Sequence, residues 1–230
     1  NDKILGIYLK GGMLSAGPAS ATALRDALID FKQSGKFIIA YADSYSQTNY
    51  YIASVADKIF FNPVGSLAWD GLTAQKEDYT RIFEKIGIEM QILKVGTFKS
   101  AVEPYFRTSM SDADRKRTEQ YINGVWNEMK QAVGESRQIT AEQLHAYADE
   151  CMSLQPQDKY LAYNLVDSLV YVQEMDSILR TYAGTKEYKL QSNSKMTNVE
   201  RAENKATDKV AVLYAEGQIV DEGAEGIVEG

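Results

Sequence analysis

The sequence predicts an α/β domain built on a mostly parallel sheet, and two features carry that prediction. The first is the order of its apolar segments: Ile4 to Leu9, then an amphipathic stretch, then Phe37 to Tyr41. Strand, crossover helix, strand is the βαβ unit, which requires parallel pairing and a right-handed connection. The second is the texture of the strand candidates, continuous apolar runs without alternation, as expected of strands covered on both faces.

Taken in order, Ile4 to Leu9 leads into a turn at Gly11-Gly12. A helix opens at Pro18 and Ser20, places Leu24, Ala27, Leu28 and Phe31 on one face with Arg25, Asp26, Asp30 and Lys32 elsewhere, and stops at Gly35. Phe37 to Tyr41 is the second strand. The loop 42–49 leaves its carboxyl end, the usual place for a site in such folds, and runs into a helix from Tyr50 to Ala56. Lys58 to Phe61 reads as a third strand ended by Asn62-Pro63, and Trp69 to Gly71 as a loop or short strand. From Ala74 a helix carries Tyr79, Ile82, Phe83 and Ile86 on one face and is capped by Gly87. Met90 to Val95 is expected as the strand that brings the following loop to the end of the sheet.

Ser111 and Asp114 have the spacing of a capping box for a long helix, 112–136, with an apolar stripe from Tyr121 to Val133. Thr140 and Gln143 repeat that spacing before a helix holding His145 and Tyr147. Leu165 to Val170 and a helix over 172–182 complete the domain. Residues 184–208 turn polar and read as a linker, and Val210 to Tyr214 and Gly217 to Val220 as strands beginning a second domain, so the boundaries expected are 1–183, 184–208 and 209–230.

Composition narrows the function. The 230 residues are 44% hydrophobic with 10% aromatic, which suits a packed core, and the net charge of −7 argues against a nucleic-acid partner or docking on anionic lipid. No stretch approaches the roughly twenty apolar residues of a membrane span. With no signal peptide before Asn1, the chain is expected to be soluble, any anchor of a parent protein having been removed. No metal or cofactor is expected: Asp112 and Asp114 suggest a calcium loop, but Arg117 stands where such a loop needs glycine, and the late glycines fit no nucleotide fingerprint. Cys151 is expected to be a small apolar filler. With His145 the sole histidine, a Ser-His-Asp triad or a histidine-based zinc site would rest on it alone, so lysine is the natural base if the chain is a hydrolase.

The candidate lysine is Lys99, in a loop with Gly96, Thr97 and Ser100 directly after the expected strand. A lysine acts as a base near neutrality only where its ammonium is desolvated or crowded by positive charge, its ordinary pKa being about 10.4. Val95, Phe98, Ala101 and Val102 would supply a dry wall, and the Thr97 and Ser100 hydroxyls would hold the amine. A loop lysine is more often a solvated surface charge, and the residues alone leave both roles open.

The run Val95-Gly96-Thr97-Phe98-Lys99-Ser100-Ala101-Val102-Glu103-Pro104-Tyr105 resembles the lysine motif of the signal peptide peptidase A (protease IV) family, membrane-anchored serine peptidases with a Ser/Lys dyad. The likeness continues through Gly35-Lys36, Tyr45-Ser46-Gln47, Tyr50 to Ser54, Ala56 to Ile59 and Asn164 to Asp167. It implies a Clp-protease/crotonase-like superhelix and, for the family's long form, two homologous halves, the first giving the lysine and the second the serine. Aligning Tyr50 with the tyrosine of the family's Ser-Gly-Gly-Tyr pattern sets Gln47 at the nucleophile position, with Thr48 and Asn49 over the glycines. Ser46 and Thr48 are then turn or cap residues. The resemblance further implies hydrophobic signal peptides as substrates, the serine-bearing half as partner, a bowl-shaped homo-oligomer, and a bacterial inner-membrane protein facing the periplasm. The alternatives are a non-catalytic assembly half and, on fold alone, an acyl-CoA enzyme of the crotonase type.

Overall fold

The computed structural model describes residues 3–12, 14 and 16–196. The chain divides into one compact unit, Asn1–Tyr188, and a second, Lys189–Gly230, of which the described part holds one short helix, Asn193–Met196. Residues 197–208 of the expected linker and both strands of the expected second domain lie outside the described residues.

The first unit is organised on a four-stranded sheet in the order β1 (Gly6–Lys10), β2 (Phe37–Tyr45), β3 (Lys58–Leu67), β4 (Ser168–Leu169), every pairing parallel. The α/β expectation therefore holds, and the residues show why. Along β2, Ile38, Ala40 and Ala42 enter the main core, whereas Ile39 and Tyr41 pack on the opposite face with Phe60, Met175 and Leu179. A strand buried on both faces needs apolar side chains at consecutive positions, and Phe37 to Tyr41 is such a run.

Between β1 and β2 runs α1 (Pro18–Lys32), and α2 (Gln47–Ala53) lies between β2 and β3. The long α4 (Asp112–Arg137) and α5 (Ala141–Asp149) add Trp126, Met129, Val133 and Leu144 to the main core, α6 (Gln157–Ala162) adds Tyr160, and α7 (Met175–Ala183) covers the other face. One short helix, α3 (Thr80–Ile86), precedes α4. The box at Thr140 and Gln143 forms in both directions, and Gly87 ends α3 at φ +74° as a left-handed cap.

Several expectations need correction. β3 passes through Pro63 to Leu67 because its pairing with β2 breaks between Ala42 and Ser44, so Pro63 lies where no ladder bond is asked of it. Arg25 is 3% exposed rather than on a polar face. Its guanidinium donates to Tyr51 O (2.5 Å), Ser54 Oγ (2.7 Å), Ala132 O (2.5 Å) and Ser136 Oγ (2.5 Å), tying α1 to α2 and α4 through a buried cation that helical periodicity does not reveal. Cys151 is exposed, at φ +54°, and fills no core space. Most consequential, Met90 to Val95 forms no strand: it pairs with none of β1 to β4, and Leu93 and Val95 are 96% and 90% exposed.

Candidate functional site

Lys99 lies in an excursion between Gly71 and Met110 that has a construction of its own. In that span the only fully buried residues are Ser100 and Glu103, both polar. Its apolar side chains pack on one another at the surface, with Tyr79, Phe83 and Tyr105 in a ring cluster. The backbone is closed by Tyr79 N donating to Pro104 O (2.8 Å), with the Thr80 hydroxyl donating to Arg107 O (2.9 Å). Such an element has little hydrophobic hold on the domain and must be fixed by polar anchors.

The anchors converge on the first turn of α4. Asp114, 1% exposed, accepts from Ser100 Oγ (2.6 Å), from Arg117 (2.7 Å) and from the Lys76 ammonium. Burial pushes its carboxyl up, but the bonds from Lys76 and Ser100 outweigh that and hold it below the ordinary carboxylate range. Glu103 takes over the role that the expected capping box gave to Asp114. Ser111 Oγ accepts from Asp114 N (3.2 Å) as expected, but its own N–H donates to Glu103 Oε2 (3.1 Å) and its hydroxyl to Glu103 Oε1 (2.6 Å). The Ser111 bond holds the Glu103 carboxyl below its usual range. One acid eight residues upstream thus closes the cap and joins the lysine loop to the helix.

On this platform Ser100 faces inward and Lys99 outward. The loop turns at Gly96, φ +98°, where Lys99 N donates to Gly96 O (3.3 Å), and the side chains of Lys99, Thr97 and Phe98 are exposed. Among the described residues no ion pair or side-chain hydrogen bond engages the Lys99 ammonium, and the expected dry wall is absent, with Val95 and Phe98 open to solvent. Ser100 does not hold the amine either, because its hydroxyl is committed to Asp114.

Gln47 occupies a different place. It is the first residue of α2, after Ser46, whose Oγ accepts from Asn49 N (3.2 Å) as an N-cap. The Gln47 amide makes three hydrogen bonds within the domain: Oε1 accepts from Asp70 N and Gly71 N, and Nε2 donates to Gly71 O, each at 3.1 Å. It fastens the 69–71 loop to α2. No hydrogen bond or ion pair among the described residues joins the 46–49 turn to the Lys99 loop. His145 accepts from Trp126 Nε1 (3.3 Å) and makes no pair with Cys151.

The sequence reading missed Asp114, Glu103, Lys76 and Arg117 as parts of this site. The available signal was Glu103, an acid inside the lysine motif itself and near enough to Ser111 to serve its cap.

Residues 30–186 match the family model described as Peptidase family S49. The chain is 30% identical over 207 residues to a protein named Protease 4 of Haemophilus influenzae, covering 85% of this chain and 34% of that protein. A Protease 4 of Salmonella typhi is 33% identical over 205 residues, with 85% and 33% covered. The Serine protease SPPA, chloroplastic, of Arabidopsis thaliana is 25% identical over 225 residues, covering 94% of this chain and 33% of its own length. The chain therefore spans about a third of the length of the curated relatives it matches.

Proposed function

This chain belongs to peptidase family S49, a family of serine peptidases with a Clp-protease-like fold, and from that premise we propose that it supplies Lys99 as the general base of a Ser/Lys dyad. The nucleophilic serine comes from a second, homologous half of a longer polypeptide. Residues 1–183 are the lysine-bearing half, 184–208 a linker and 209–230 the start of the second half.

The observation that carries this reading is the contrast between two neighbouring residues: Ser100 is buried and clamped onto Asp114, while Lys99 projects among exposed apolar side chains an ammonium that no described residue engages. A clamped loop with a free cation is suited to a partner surface that dries it. The chain's own nucleophile position supports the division of labour, since Gln47 is no nucleophile and is bonded into the 69–71 loop. Once covered, Lys99 takes the proton from the serine Oγ as it attacks the peptide carbonyl. It then delivers that proton to the leaving amine, and in a second step takes one from the water that hydrolyses the acyl-enzyme.

The substrates are hydrophobic peptides of the signal-peptide class, and the longer protein is a homo-oligomer at the bacterial inner membrane facing the periplasm. Among the described residues no helix is long and apolar enough to cross a membrane. The assembly role is favoured by Ile82, Ile86, Leu93, Val95 and Phe98, between 56% and 96% exposed. The test is hydrolysis of an apolar peptide. The longer protein should lose activity on Lys99→Ala with its assembly intact, and the 230-residue chain alone should be inactive. Lysine-dependent hydrolysis by that chain would refute the split site, and full activity of the Lys99→Ala protein would leave assembly as this half's role.

A further inference from the structure

A cavity of about 310 Å³ opens between α1, α2 and α4, apart from the Lys99 loop. Its walls are Ala21 and Thr22 of α1, Thr48 and Tyr51 of α2, and Gly124 and Met129 of α4. That volume is at the lower end of ligand pockets, which run from ~300 to 1,000 Å³. It suits one large side chain and its adjoining backbone rather than a whole cofactor.

Gly124 is the telling residue. It sits mid-helix in α4, where glycine is among the poorest helix formers, and a Cβ built on it meets nothing within 4 Å, so no close approach of the fold requires it. What it does is leave the cavity open. A second contribution comes from Leu72, which completes the lining and directly follows the loop that Gln47 fastens through Asp70 and Gly71. The amide at the nucleophile position thus positions a wall of this cavity.

We propose that the cavity binds an apolar side chain of a peptide and holds it without cleaving it. Charge selects the occupant. Among the described residues Glu128 is the single carboxylate on the lining and no lysine or arginine joins it, so the mouth disfavours an anionic amphiphile such as a fatty acid and favours a neutral or cationic chain. The Thr22 and Thr48 hydroxyls offer hydrogen bonds to peptide amides, Thr22 Oγ lying 3.2 Å from Tyr51 Oη. The site requires nothing of Lys99, so binding survives Lys99→Ala and the two proposals fail separately.

The test uses the 230-residue chain with ¹³C-methyl-labelled methionine, the Met129 signal assigned through Met129→Leu, and acetyl-leucyl-leucyl-lysinamide as the probe. The leucyl peptide should move the Met129 methyl signal saturably, and acetyl-seryl-seryl-lysinamide should bind at least about 10-fold more weakly for want of the buried aliphatic group. Gly124→Phe, which plugs the cavity while improving the helix, should abolish the shift at an unchanged or raised unfolding midpoint, whereas Gly124→Ala should retain it. Thr22→Trp fills the cavity from the opposite wall and should also abolish the shift, which keeps the test decisive if Gly124→Phe does not fold. Glu128→Lys should weaken the peptide and strengthen decanoate. Absence of a saturable shift, equal binding of the seryl peptide, binding retained in a folded plugged variant, or preference of the unaltered chain for decanoate would each overturn the proposal.

Discussion

Asp114→Ala is the sharpest perturbation of the Lys99 platform, and its magnitude follows from the contacts. The variant leaves the Ser100 hydroxyl, 1% exposed, without its acceptor, which costs about 1–3 kcal/mol. Lys76 and Arg117 are 33% and 49% exposed, so solvent replaces Asp114 for them and each pair adds only about 0–1 kcal/mol. Together these give about 1–5 kcal/mol. Because Ser100 and Glu103 are the excursion's only fully buried residues, the loss falls on local opening of the loop and not on the sheet. Amide hydrogen exchange over residues 96–107 should therefore accelerate by about 5- to 4,000-fold, at about 1.4 kcal/mol per tenfold. The urea midpoint, set by the sheet core, should stay nearly unchanged. Acid should reproduce the effect: the folded pKa of Asp114 is depressed, so its contribution is complete above the unfolded value of about 3.9 and disappears as pH falls through the folded value. Unchanged exchange in the loop, or a fall in global stability without local opening, would refute the reasoning.

Three further outcomes are expected. Arg25→Met removes four hydrogen bonds between α1, α2 and α4, leaving Tyr51 O and Ser54 Oγ only the bond they make to each other, and should lower unfolding stability by about 3 kcal/mol in urea titration, whereas a loss below about 1 kcal/mol would show that water replaces the guanidinium. Asp167 is pushed up by burial but held lower overall by the Ile59 N–H and by Arg137, so its stabilisation is present above the unfolded pKa of about 3.9 and is lost on acidification. Asp167→Asn should flatten the fall of stability below about pH 4, as read by thermal melts across pH. Gln47→Ser combined with Thr48→Gly and Asn49→Gly should not be labelled by a fluorophosphonate in a Lys99-dependent way, because among the described residues no hydrogen bond or ion pair joins that turn to the Lys99 loop; equal labelling with and without Lys99→Ala is the expected reading.

What could be read from sequence divides along a physical line. The sheet and α1, α2, α4, α5 and α7 were legible because each writes its burial into a local period, as Phe37 to Tyr41 does for a strand covered on both faces. Lys99, Ser100 and Gln47 were found through motif likeness, but their surroundings were not. Met90 to Val95 has the composition of a strand, yet a strand exists only with a neighbour, and none of the described strands pairs with it. Arg25 and Asp114 are buried because their partners, Ala132 and Ser136 for one and Lys76 and Ser100 for the other, come from distant stretches. Helical periodicity assigns any charged residue to the solvent, and only tertiary hydrogen bonding overrides it.

The dyad is tested most directly by covalent labelling of the longer protein with a fluorophosphonate, which reports how readily its serine attacks, independently of peptide binding. The account predicts that the serine of the second half is labelled, that the rate falls about 10²- to 10⁴-fold on Lys99→Ala, the range for a positioned general base, and that Lys99→Arg does not restore it. Labelling of the second-half serine at the unaltered rate in the Lys99→Ala protein would contradict it.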